Sequence, residues 1–110
     1  MDNEFNKIFV MLLNGEVDDP NLLSKYLLQL TAHSYNLDKD RIEAERAYSA
    51  LFNVKRSEYK SDKQCENALT GTTEWEKLEK TKASYRLTKE IIMSAKKRLS
   101  VLQDLMRNNY

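Results

Sequence analysis

The sequence predicts an all-α fold: a long antiparallel helical hairpin, similar to a coiled coil, with a short N-terminal helix and a tendency to self-associate. Only two Gly and one Pro occur among its 110 residues, which leaves little material for turns. Apolar residues recur every seven positions in two long stretches, the period of helices that pack side by side. This length suits a single helical domain over residues 1–110.

Residues 1–18 are predicted to form a short helix and a link. The helix spans residues 4–14, and Gly15 is its expected C-terminal stop. Leu13 lies beside the apolar face of this helix, which packs either on its own hairpin or on a neighbouring subunit. That face consists of Phe5, Ile8, Phe9 and Leu12.

A single long helix is predicted over residues 19–60, with Asp19 as N-cap and Pro20 at the first helical position. Its seven-residue row is Leu23, Leu30, Leu37, Ala44 and Leu51. A second apolar stripe occurs only in the C-terminal half, which is therefore expected to contact more than one neighbour. That stripe is Ile42, Tyr48, Phe52 and Tyr59. The doublets Leu22–Leu23 and Leu27–Leu28 either pack against residues 5–13 or form a subunit interface.

Residues 61–72 lack periodicity and are polar, so they are predicted to form a loop. Thr73 and Glu76 form a capping-box pattern that opens a second long helix over residues 73–108. Its row is Leu78, Tyr85, Ile92, Leu99 and Met106. Two such helices joined by a short connector should pack antiparallel. The predicted packing or oligomer seam contains Leu23, Leu30, Leu37, Leu51, Leu78, Tyr85, Ile92 and Leu99.

The residue types argue against an enzyme. With one histidine, His33, and one cysteine, Cys65, the chain cannot assemble a disulfide, a Cys–His dyad or a zinc site of normal spacing. No Gly-rich phosphate loop occurs, so no catalytic residue, metal or cofactor is expected. His33 flanks the first seam, and Cys65 is compatible with a reducing cytoplasm. Neither a signal peptide nor a membrane span is expected.

The net charge of +1 hides a mild asymmetry, because residues 1–60 carry −2 and residues 61–110 carry +3. One basic group closes the first long helix: Lys55, Arg56, Lys60 and Lys63. Another opens the last helix: Lys77, Lys80, Lys82, Arg86 and Lys89. A hairpin would bring both near Tyr59, Trp75 and Tyr85. Cations interleaved with aromatic rings suit single-stranded nucleic acid, and the alternative is a solvated helix surface with Tyr85 in the seam.

Residues 19–27 read DPNLLSKYL, and residues 51–59 read LFNVKRSEY. The first block resembles the opening segment of the UvsY family of phage recombination mediators. The second block resembles the segment that ends the first long helix in that family. Lys82, Tyr85, Ile91 and Ile92, followed by basic residues, resemble the family's second long helix. The resemblance covers roughly residues 19–107, and the family's late Phe is missing from residues 98–108.

The resemblance implies a non-enzymatic, cofactor-free protein of DNA recombination and repair in the cytoplasm of an infected bacterial host. Such proteins bind single-stranded DNA, form ring-like homo-oligomers and help a RecA-like recombinase displace the single-strand-binding protein. The candidate DNA contacts are Lys55, Arg56, Lys60, Lys80, Lys82, Arg86, Lys96, Lys97 and Arg98. The alternatives are a small phage helical adaptor or inhibitor that binds a host protein, and a structural coiled-coil component.

Overall fold

Helices make up nearly all of the structure. The computed structural model describes the backbone of residues 3–108 and the side chains of residues 6–108. Over that range the α-helices are α1 (Asn3–Leu13), α2 (Pro20–Lys55), α3 (Asp62–Leu69) and α4 (Thr73–Asn108). A 3₁₀ turn, Arg56–Glu58, follows α2. The predicted all-α class, the two long helices and the short N-terminal helix are confirmed.

The chain divides into two units. The terminal unit contains residues up to 35 together with those from 86 onward, and the central unit contains residues 36–85. In the terminal unit the first part of α2 therefore packs with the second part of α4. In the central unit the second part of α2 lies with the first part of α4. Both pairings are those of an antiparallel helical hairpin.

Capping bonds agree with two predicted boundaries, the end of α1 at Gly15 and the start of α2 at Asp19 and Pro20. Gly15 has a φ of +65°, and a Schellman motif closes α1. In it, the Glu16 N–H donates to the Met11 carbonyl (3.0 Å) and the Gly15 N–H to the Leu12 carbonyl (3.2 Å). At the start of α2, Asp19 Oδ1 accepts a 3.0 Å bond from the backbone N–H two residues later.

The terminal unit holds the larger apolar core. Its buried members are Ile8, Phe9, Val17, Leu23, Leu27, Leu30, Ile91, Ile92 and Ala95. Leu22 is partly buried and packs against this core. Three of the four leucines in the two doublets, Leu22, Leu23 and Leu27, therefore contact their own chain. The fourth, Leu28, is 74% exposed, and Leu13 is also exposed. The side chain of Phe5 lies outside the described residues.

The predicted seam is buried unevenly. Leu23, Leu30, Leu78 and Ile92 are buried. Leu37, Leu51, Tyr85 and Leu99 are partly buried. Met106 was expected to continue the row, but it is 52% exposed because the buried part of α4 ends near Ala95.

The predicted loop over residues 61–72 is wrong, because these residues contain α3. Ser61 Oγ accepts a bond from the Gln64 N–H (3.2 Å), which caps the helix. Gln64 Oε1 in turn accepts from the Lys60 N–H (3.2 Å). Cys65 and Leu69 give α3 a buried side. This short helix contacts the second apolar stripe at Phe52, since Cys65 Sγ lies 3.9 Å from the Phe52 carbonyl oxygen.

Two further boundaries differ from the prediction. The first long helix ends at Lys55 rather than near residue 60. There the Arg56 guanidinium donates to the Tyr59 carbonyl (2.7 Å) and pairs with Asp62, which turns the chain into α3. The N-terminal cap of α4 is Thr72 rather than Thr73, because Thr72 Oγ1 accepts from the Trp75 N–H (3.3 Å).

Candidate nucleic-acid interface

The nine candidate DNA contacts fall into both units. The central unit holds Lys55, Arg56, Lys60, Lys80 and Lys82, and the terminal unit holds Arg86, Lys96, Lys97 and Arg98.

In the central unit, two of the five candidate residues already form ion pairs with carboxylates of the same chain. Lys55 Nζ lies 3.7 Å from Glu58, and Arg56 pairs with Asp62. Lys60 and Lys80 are exposed, whereas Lys82 is partly buried. Lys60 and Lys80 are the more accessible cations of this group.

In the terminal unit, four basic residues share one side of α4. Arg86, Lys89, Lys96 and Lys97 are all exposed. Their spacing of 3, 10 and 11 residues from Arg86 places them within about 100° around the helix axis. We call these four residues the basic face.

The basic face lies on the other side of α4 from the core. The buried residues of this segment are Thr88, Ile91, Ile92 and Ala95. Their helical positions centre more than 120° away from the basic face. Arg98 falls outside the face, and it pairs with Asp18 in the link before α2. Three of the four terminal-unit candidates therefore lie on the basic face, and Lys89 joins them.

Of the aromatic residues expected near the candidate cations, Tyr85 contacts a different cation, whereas Trp75 lines the same cleft as Lys82. Tyr85 packs under Arg41, whose guanidinium carbon lies 5.4 Å from the ring centroid. Arg41 also bonds to Asp38 (2.7 Å) and Glu45 (3.0 Å), and the bond to Asp38 is the main reason its pKa is raised. Trp75 lines a cleft of the central unit.

That cleft has a volume of about 370 Å³ and lies among α2, α3 and α4. Its polar and aromatic lining consists of Tyr48, Glu66, Asn67, Thr70, Trp75, Glu79 and Lys82. On α4, residues 75, 79 and 82 have the spacing of one helix face. Burial raises the pKa of the Tyr48 phenol, and the negative charge of Glu66 adds to the shift, followed by smaller contributions from Cys65 and Glu79.

Glu66 and Asn67 were not predicted as site residues, because residues 61–72 were expected to form a loop. A usable signal was present. Ser61 is followed three residues later by Gln64, which is a capping-box pattern, and Cys65 and Leu69 have helical spacing.

The histidine and the cysteine both lie in packed surroundings. The rings of His33 and Phe9 are 6.5 Å apart in the terminal unit, and the Cys65 side chain is fully buried in the central unit. No group of three metal-ligating side chains occurs among the described residues. The helices of residues 3–108 also include none that is long and apolar enough to cross a membrane.

No family model matches this chain, and neither a curated protein nor a solved structure was found to be similar to it.

Proposed function

We propose that this protein is a recombination mediator that binds single-stranded DNA and assists a RecA-like recombinase in replacing the single-strand-binding protein. The observation that carries the proposal is the basic face of α4. Its four exposed cations extend over about 16 Å of helix at 1.5 Å per residue. Exposed cations in a row can follow the phosphates of a single strand, and counterion release then supplies the binding energy.

The resemblance of residues 19–27 and 51–59 to the mediator family supplies the biological role within this proposal. The basic face supplies only its DNA-binding part. Lys60 and Lys80 are exposed and extend the proposed contact in the central unit. Arg56 and Arg98 contribute less, because each already pairs with a carboxylate of its own chain.

We also propose that the mediator acts as a homo-oligomer. The terminal unit exposes large apolar side chains on both long helices. Leu28 and Tyr35, one heptad apart on α2, are 74% and 73% exposed. Val101 and Leu105, one turn apart on α4, are each 55% exposed. Two different apolar patches allow each copy to cover the next one head to tail, and such contacts form a ring when the rotation between neighbouring copies closes.

Salt-dependent binding tests the DNA contact. Anisotropy of a labelled oligothymidine, titrated with protein at several salt concentrations, should give a negative log–log slope. Four phosphate contacts correspond to a slope of about −2.8 for a single strand. The double variant Lys96→Gln, Lys97→Gln should weaken binding and reduce the slope by about 1.4.

The matched control neutralises two exposed lysines of α2 instead, with Lys25→Gln and Lys39→Gln. This control loses the same net charge but leaves the basic face intact, so its slope should stay near that of the wild type. Equal effects of the two double variants would show that only total charge matters. Absence of binding at physiological salt would favour the helical adaptor or the structural component.

A further inference from the structure

The cleft of the central unit combines aromatic rings with carboxylates from two helices. Glu66 comes from α3, and Glu79 comes from α4. Tyr48 and Trp75 supply the rings and are both partly exposed. Lys82 is the one cation among the described side chains that line the cleft, so the lining has a formal charge of −1. A cation is therefore the favoured occupant, since a phosphate would meet two like charges.

The central unit already contains one site where a guanidinium stacks on an aromatic ring and pairs with carboxylates. Arg41 packs over the ring of Tyr85 while it pairs with Asp38 and Glu45. That site has a ring, two carboxylates and a guanidinium. The cleft has two rings and two carboxylates, and its cation, Lys82, is an ammonium on the same helix as Glu79.

We propose that this cleft binds an arginine side chain presented by a protein partner. The guanidinium plane stacks on an aromatic face and pairs with carboxylate oxygens in a fork, which an ammonium cannot do. The Asn67 side-chain oxygen is a further acceptor in the lining. A volume of about 370 Å³ is at the lower end of the 300–1,000 Å³ range of small-ligand sites. It suits one inserted side chain.

This inference does not depend on the basic face that carries the proposed DNA binding, although the cleft includes Lys82, one of the candidate DNA contacts. The basic face belongs to the terminal unit, and the cleft belongs to the central unit. Loss of one activity therefore leaves the other measurable.

Trp75 makes a direct test possible, because it is the only tryptophan of the chain and lines the cleft. The indole N–H signal of the full chain can be followed by two-dimensional NMR during titration with a blocked glycine–arginine–glycine peptide. The peptide should shift this signal in a saturable way. A peptide with citrulline in place of arginine has nearly the same shape without the charge, and it should bind at least tenfold more weakly.

The variant Glu66→Gln, Glu79→Gln should lower the affinity for the arginine peptide at least tenfold. Its control is Glu43→Gln, Glu90→Gln, which removes the same charge from exposed positions outside the cleft and should stay within twofold of the wild type. Circular dichroism establishes that both variants keep their helicity. If the cleft variant unfolds, the comparison of arginine with citrulline on the wild-type protein still decides the matter.

Three results would overturn the proposal. The first is an equal response to arginine and citrulline peptides. The second is an equal loss of affinity in the cleft variant and in its control. The third is an unmoved Trp75 signal with the arginine peptide, and movement with oligothymidine in that case would assign the cleft to a nucleobase.

Discussion

Replacing Leu30 by Ala should destabilise the protein strongly, whereas the same change at Leu28 should not. Leu30 is fully buried in the core of the terminal unit, and Leu28 is 74% exposed two residues earlier on the same helix. Truncation of a fully buried leucine removes its transfer free energy and leaves a cavity, at a cost of about 2–5 kcal/mol. A domain of this size has about 5–15 kcal/mol of total stability, so the change removes a large fraction of it.

The measurement is urea unfolding followed by circular dichroism. At an m-value of about 1–3 kcal/mol/M, the midpoint of Leu30→Ala should fall by about 1 M or more. Leu28→Ala should stay within about 0.5 kcal/mol of the wild type, as is usual for surface positions. Measurements at two protein concentrations tenfold apart separate folding of one chain from self-association, since only association depends on concentration.

The result that would refute this reasoning is an equal loss of stability in the two variants at both concentrations. It would mean that α2 presents a different face to α4 than the seven-residue row of leucines predicts. A loss in Leu28→Ala that appears only at the higher concentration would instead support contact of this residue with another copy.

Three other changes test local features. Gly71, between α3 and α4, has a φ of +89°. Gly71→Ala should lower the free energy of unfolding, measured in urea, by about 1–2 kcal/mol. Gly71→Asn should lower it less, because asparagine tolerates this conformation. The pKa of Tyr48 is raised in the folded state, so above pH about 10 the native state holds a proton that the unfolded chain has lost. Stability should therefore fall as pH rises through this region, less steeply in Tyr48→Phe, and identical pH profiles would contradict the assigned burial. Cys65 is fully buried, so a thiol reagent should modify it at least about tenfold more slowly in buffer than in denaturing urea; equal rates would place the thiol at the surface.

The two long helices, the end of α1 and the start of α2 could be predicted from the sequence because local chemistry determines them. Asp19 followed by Pro20 is a strong N-terminal pattern, and Gly15 supplies the left-handed residue that a Schellman motif needs. The row of leucines every seven residues predicts which side of α2 is buried. These signals require no knowledge of distant residues.

The short helix α3 was missed because its polar composition resembles that of a loop. Only two of its eight residues, Cys65 and Leu69, are buried. So few apolar positions produce almost no periodic pattern, and helices of this length are marginal on their own. Its stability comes from the Ser61 cap and from packing near Phe52, which is a tertiary contact.

The candidate DNA contacts were predicted from charge, neighbouring aromatic residues and the family resemblance, and none of these reveals which cations are already paired. Arg56 and Arg98 were indistinguishable from the others in the sequence, but each pairs with an aspartate in the structure. The Arg98 partner, Asp18, is 80 residues away along the chain. The cleft was equally inaccessible to prediction, since it requires α3 to be a helix that places Glu66 beside the other lining residues.

The composition of the terminal unit has a consequence for the order of folding. This unit joins the first 35 residues to those from 86 onward, whereas the fifty residues from 36 to 85 form a contiguous unit. Local contacts form faster than distant ones, so the contiguous segment should become structured first. Once residues 36–85 are folded, a shorter flexible chain separates the two parts of the terminal unit, and the entropy cost of bringing these parts together is smaller. During synthesis at about 5–20 residues per second, the core of the terminal unit therefore stays incomplete for several seconds, until its α4 residues leave the ribosome.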